Sequence, residues 1–83
     1  MDLYRIGKVN HYYDKIKVAV LKLHKPIAVG DKIRIVGTDR EIKQTVDSME
    51  INREPVTTAK KGDDIGLKLK KEAKVGDKVY LIQ

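Results

Sequence analysis

The chain contains no cysteine, no phenylalanine and no tryptophan, only two prolines, and a single serine, Ser48. Lack of cysteine removes both the disulfide that often staples a short chain and the thiolate that holds a metal. Ser48 has no Gly-x-Ser-x-Gly elbow around it, so there is no sign of an activated hydroxyl nucleophile. No phosphate-cradling P-loop pattern occurs, and nucleotide binding is not expected. The two histidines, His11 and His24, lack the paired spacing of a zinc site. Asp63 and Asp64 are adjacent, and adjacent strand residues point to opposite faces, which argues against a carboxylate dyad. No apolar run approaches the ~20 residues of a membrane-spanning helix, and no basic-then-apolar leader precedes Asp2-Leu3-Tyr4-Arg5. These absences lead to the expectation of a cytoplasmic protein that is not an enzyme, needs no cofactor and has no membrane association.

What remains is aliphatic and charged. The 83 residues make one domain, 1–83, of a size that buries roughly 60% of its unfolded surface. Val, Ile and Leu dominate the apolar content, and β-branched residues suit a pleated surface. Lys and Arg number 18 against 12 Asp and Glu, a net charge of +6. Such a balance suits a nucleic-acid partner, or simply a well-solvated lysine-rich surface. Only four of the basic residues are Arg, whose planar fork is the better phosphate reader.

Three copies of Gly-Asp, at 30–31, 62–63 and 76–77, each precede a strand-like alternation: Lys32-Ile33-Arg34-Ile35, Asp64-Ile65-Gly66-Leu67 and Lys78-Val79-Tyr80-Leu81. Gly takes the positive φ of a tight turn and Asp bonds to nearby backbone. Repeated sharp turns that launch strands are what a small closed barrel requires, and the unequal spacing excludes a solenoid.

The alternation predicts strands at Leu3–Asn10, Ile16–Leu23, Ile33–Val36, Glu41–Asn52, Ile65–Leu69 and Lys78–Ile82. Gly7 marks a bulge in the first of these. The second is apolar on both faces (Ile16, Val18 and Val20 on one, Ala19, Leu21 and Leu23 on the other), so part of the barrel exterior is expected to be covered. Apolar parity shifts between Val46 and Met49, the trace of a bulge or register change. A short helical turn fits Lys70 to Ala73, and Gly66 fits a close backbone approach or barrel bend. Arg34, Lys43 and Arg53 read as strand residues that share a surface. Tyr12 and Tyr13, with Lys8, Lys15 and Lys17 nearby, offer base-stacking rings; the alternative is that they cap the barrel end with their hydroxyls in water. Lys68, Lys70, Lys71 and Lys74 form a basic run that is a phosphate contact or a solvated face.

Three stretches carry a family resemblance: Ile6-Gly7-Lys8-Val9; Pro26-Ile27-Ala28-Val29-Gly30-Asp31-Lys32-Ile33; and Val46 to Arg53 followed by Ala59 to Leu67. In their order and spacing they resemble domain 2 of the translational GTPases, the group of elongation factor Tu and initiation factor 2. The resemblance implies an all-β, six- to seven-stranded Greek-key β-barrel that meets tRNA or ribosomal RNA. It implies that Glu50 borders a terminal-adenosine pocket and that Arg53 is the basic residue three positions later. Asp64 stands where that family has Asn beside the aminoacyl group, and Lys68 where it has an apolar residue. Tyr13-Asp14, and Glu54-Pro55-Val56 ahead of Ala59, are also similar to the C-terminal barrel of collagenase-like peptidases. There the barrel is an accessory domain, in a family with members linked to RNA modification. The leading expectation is a stand-alone, non-catalytic elongation-factor-like barrel that binds tRNA or rRNA. Its candidate residues are Arg34, Lys43, Glu50, Arg53, Asp64, Lys68, Tyr12 and Tyr13. The alternative is a protein-interaction barrel that docks on a separately encoded enzyme or translation factor.

Overall fold

A short chain rich in Val, Ile and Leu, punctuated by glycine turns, has one economical way to bury its aliphatic side chains: strands curled around a common axis. The computed structural model describes residues 3–82 and contains ten strands and, among the described residues, no helix. They are β1 (Leu3–Tyr13), β2 (Val18–Lys22), β3 (Ile27–Ala28), β4 (Lys32–Val36), β5 (Glu41–Thr45), β6 (Met49–Ile51), β7 (Glu54–Val56), β8 (Thr58–Ala59), β9 (Asp64–Lys68) and β10 (Lys78–Ile82). Eight form one curled antiparallel sheet in the order β5-β4-β10-β1-β2-β9-β6-β7, and β3 pairs with β8. The expected small all-β barrel is therefore what forms.

β1 spans the barrel, pairing with β10 over Leu3–Lys8 and with β2 over Val9–Tyr13. Its register shifts between Arg5 and Gly7 and again between Val9 and His11. Ile6 and Val9, three residues apart, would face opposite ways in a regular strand. The bulged, bent strand sends both into the core, where each is fully buried. Elsewhere the alternation is regular: Ile33 and Ile35 on β4, and Ile65 and Leu67 on β9, point inward.

The three Gly-Asp turns share one geometry. Gly30, Gly62 and Gly76 have φ of 99°, 93° and 96°, the left-handed third position of a type II turn. In each turn the Asp N–H donates to the carbonyl three residues back, at 3.1, 3.0 and 3.0 Å. The Asp carboxylate in turn accepts that same residue's N–H, from Ala28, Lys60 and Lys74 at 2.8, 2.8 and 2.9 Å. Each turn also grips one buried apolar residue of a distant segment. The Gly N–H donates to its carbonyl and the Asp carbonyl accepts its N–H, the gripped residues being Val46, Leu23 and Val9. The repeat in the sequence is thus a repeated clamp.

The seam between β5 and the end of β9 is closed by a side chain. The Gln44 amide nitrogen donates to the Lys68 carbonyl at 3.0 Å, and its oxygen accepts the Lys70 N–H at 2.9 Å.

Several local expectations are corrected. Glu41–Asn52 is not one bulged strand but β5 and β6 joined by Val46–Ser48, because Val46 is captured by the Gly30-Asp31 clamp. Ile16 lies in the β1–β2 turn rather than on β2, and the strand begins after Lys17, whose φ is 55°. His11 to Tyr13 belong to β1, since their pairing with β2 continues to the turn. No helical turn forms at Lys70 to Ala73, where the chain instead threads Leu69 and Ala73 into the core.

Candidate functional site

The outward face of β2, β9 and β6 carries a groove of about 500 Å³. Its floor is a row across three strands: Val20 pairs with Gly66, and Gly66 with Glu50. The middle member of the row is empty of side chain. A Cβ on Gly66 would sit 3.2 Å from both Glu50 Cγ and Val18 Cγ1, so a side chain here would crowd both and take up space over the floor.

Two hairpin tips wall the groove. On one side stand Tyr13, 50% exposed, and Ile16, 53% exposed. The other side is the β6–β7 turn, where Asn52 and Arg53 have φ of 53° and 65°. Two successive positive φ values define the type I′ turn that suits a two-residue hairpin. Asn accepts this conformation readily, whereas for Arg it costs ~1–2 kcal/mol. Arg53 lines the groove all the same, as do Glu50 and Asp64. Among the described residues, Glu50, Arg53 and Asp64 form no ion pair, while Glu41, Asp47 and Asp77 each have a basic partner.

The candidates picked from the sequence divide into separate places. Glu50, Arg53, Asp64 and Tyr13 meet in the groove. Arg34 and Lys43 are cross-strand neighbours on β4 and β5, at the far end of the sheet from β6 and β7, and the Arg34 guanidinium is taken up by Glu41. Neither lines the groove, and Arg53 is a turn residue and not a strand residue. Lys68 reaches the Ile16 carbonyl and so ties the β1–β2 turn to β9. Tyr12 packs on the core and Tyr13 faces out, its ring edge-on to His11 with centroids 4.3 Å apart. The two rings therefore cannot act as one stacking platform. Sequence reasoning missed Val18 and Val20 as site residues, although the two-sided apolar pattern of that strand was their signal.

Burial pushes the Tyr12 hydroxyl above its ordinary pKa of 10.0, and the negative charges of Glu72 and Asp14 push it the same way. The neutral phenol is favoured more in the folded than in the unfolded chain. Its contribution to stability is complete below the unfolded value and is lost as pH rises through the folded one. Denaturant midpoints measured from pH ~9 to ~11 are expected to fall more steeply for the wild type than for Tyr12→Phe.

With the groove described, the barrel can be set beside known ones. The chain superposes on the C-terminal domain of a proposed U32 peptidase from Geobacillus thermoleovorans with a TM-score of 0.86, covering 94% of this chain and 91% of that one at 14% identity. The selenomethionine variant of the same domain gives a TM-score of 0.83, covering 90% and 95%. This likeness shows the fold, a small β-barrel of the kind that forms the C-terminal domain of that protein. In sequence the chain is 40% identical over 79 residues to an uncharacterized protease of Methanocaldococcus jannaschii. The match fills 94% of this chain but spans only 19% of the length of that relative. No protein-family model matches the chain.

These findings correct the leading expectation. A translation-factor barrel that binds tRNA or rRNA does not fit a chain whose fold and sequence relatives are peptidase proteins. The physical arrangement agrees: of the proposed contacts, Arg34 is engaged by Glu41, and the groove carries two carboxylates against one guanidinium. The resemblance to the collagenase-like peptidase barrel is the one that the comparisons support. No helix among the described residues is long and apolar enough to cross a membrane.

Proposed function

We propose that this chain is a non-catalytic accessory barrel of a peptidase system, which docks protein segments for a catalytic part that lies elsewhere. The observation that carries this reading is the shape of the sequence match: nearly all of this chain corresponds to about a fifth of a protease-named relative. The groove's chemistry supports the same reading. Its floor sets Glu50 beside Val18 and Val20, one wall is Tyr13 and Ile16, the other is Asn52 and Arg53, and Ser48 is not among its lining residues. Such a surface holds a chain rather than cuts it.

The test uses the Methanocaldococcus relative with its matching 79-residue segment removed. A complex between that truncated protein and this chain, added separately and detected by calorimetry, is the expected result, together with no hydrolysis of casein by this chain alone. Casein cleavage by the purified barrel that disappears in Glu50→Gln would overturn the proposal.

A further inference from the structure

We infer that the outer groove docks an extended peptide segment in which an aliphatic residue lies two positions from a lysine or arginine, so that both side chains face the groove. The inference rests on the accessory-barrel reading and names the partner's chemistry. Its first ground is charge. Glu50 and Asp64 against Arg53 give the groove a net charge of −1, from −2 and +1, on a chain whose total is +6. Within the groove the carboxylates outnumber the guanidinium, so an ammonium or guanidinium is favoured there over a phosphate.

The second ground is an unmet carboxylate. Glu50 is partly buried beside Gly66 and Val18, and no basic group among the described residues lies within ion-pair distance of it. A carboxylate half-withdrawn from water gains more from an incoming cation than an exposed one does. The third ground is the apolar surface around it. Val18 and Val20 form the floor next to the space over Gly66, and Tyr13 and Ile16 leave half their surface in water. An aliphatic side chain laid there removes this area from solvent, and the cation beside it falls over Glu50 and Asp64. Arg53, fixed by its left-handed turn, stands at the rim, where it can meet a peptide carbonyl. Strand positions and a tight turn hold all these groups, so little ordering is needed on binding.

The test is a titration of the isotope-labelled chain with three capped tetrapeptides: acetyl-Ile-Ala-Lys-Ala-amide and its analogues with glutamine or glutamate for the lysine. The lysine peptide is expected to shift the amides of Val18, Val20, Gly66 and Arg53. Affinity should be about tenfold weaker for the glutamine peptide and weaker again for the glutamate one. Glu50→Gln should weaken the lysine peptide about tenfold and leave the glutamine peptide unchanged. Equal or tighter binding of the glutamate peptide, shifts confined to β4 and β5, or no shift at ~10 mM peptide would each overturn the inference. Two failures stay distinguishable. If the truncated relative forms its complex while the peptides fail, only the groove assignment falls. If the peptides titrate as expected while no complex forms, the accessory reading falls and the groove assignment stands.

Discussion

Replacing Gln44 with leucine is expected to lower unfolding stability by about 2–4 kcal/mol, because each of the two backbone groups it serves forfeits ~1–3 kcal/mol when left unpaired. Gln44 is 9% exposed, and its amide is the bond between β5 and the β9 end, donating to Lys68 and accepting from Lys70. Leucine has similar bulk and satisfies neither. Glutamate sharpens the test. At neutral pH Gln44→Glu keeps the acceptor for the Lys70 N–H but turns a negative oxygen toward the Lys68 carbonyl. Burial holds such a carboxyl above the ordinary ~4.3, so the folded variant binds its proton more tightly than the unfolded one. Its stability relative to wild type should then be best in acid, where the protonated group can donate to Lys68, and should decline as pH rises through that raised value. Urea midpoints at constant slope read both variants. A Gln44→Leu midpoint equal to wild type would mean the seam is held by packing alone.

The second large effect compares three positions that the fold makes equivalent. Asp31, Asp63 and Asp77 each cap the N–H three residues back, at nearly equal distances. They differ in surroundings: Asp77 is 6% exposed and also receives the Arg40 guanidinium at 3.3 Å, while the Asp63 bond is exposed. Alanine at Asp63 should cost ~1 kcal/mol, the net worth of an ordinary hydrogen bond. At Asp77 it should cost roughly 2–4 kcal/mol, since a partly buried N–H and a guanidinium lose a charged acceptor together. Asp31→Ala falls between. Thermal melts of the three single variants give the order, and equal losses would show that the turn bond matters more than burial.

The clamps were legible because they are local. Gly-Asp followed by an alternating strand states its geometry within four residues, and all three copies follow it. Core faces were legible for the same reason, wherever the alternation ran unbroken as in Ile33 and Ile35. The two-residue strands β3 and β8 were not, because so short a pairing leaves no period to read. The site was half legible. Glu50, Arg53 and Asp64 came from their place in a family pattern, and the two-sided apolar strand pointed to the outward face that forms the groove, though no element among the described residues covers it. Arg34 and Lys43 fall outside the groove that holds Arg53, and sequence shows which residues face outward but not where a strand lies in the sheet order. That order places β4–β5 and β6–β7 at opposite ends. Ile16 was misplaced because a left-handed Lys17 has no compositional signature.

The strand that spans the barrel sets a timetable. Within the barrel β1 is made before the other strands and β10 after them, yet they are partners, with Leu3 opposite Ile82. The hairpins β4–β5 and β6–β7 can close as soon as they emerge, each from residues a few positions apart. β1 can borrow β2 for its second half, while Leu3 to Lys8 wait beside nothing until about seventy more residues have been made. Closure of such a distant pair is slow, on the scale of milliseconds to seconds once β10 has been made. During synthesis the front half of β1 is an unpaired edge with Ile6 uncovered, and Arg5 and Lys8 on either side of it are the charges that keep other chains away.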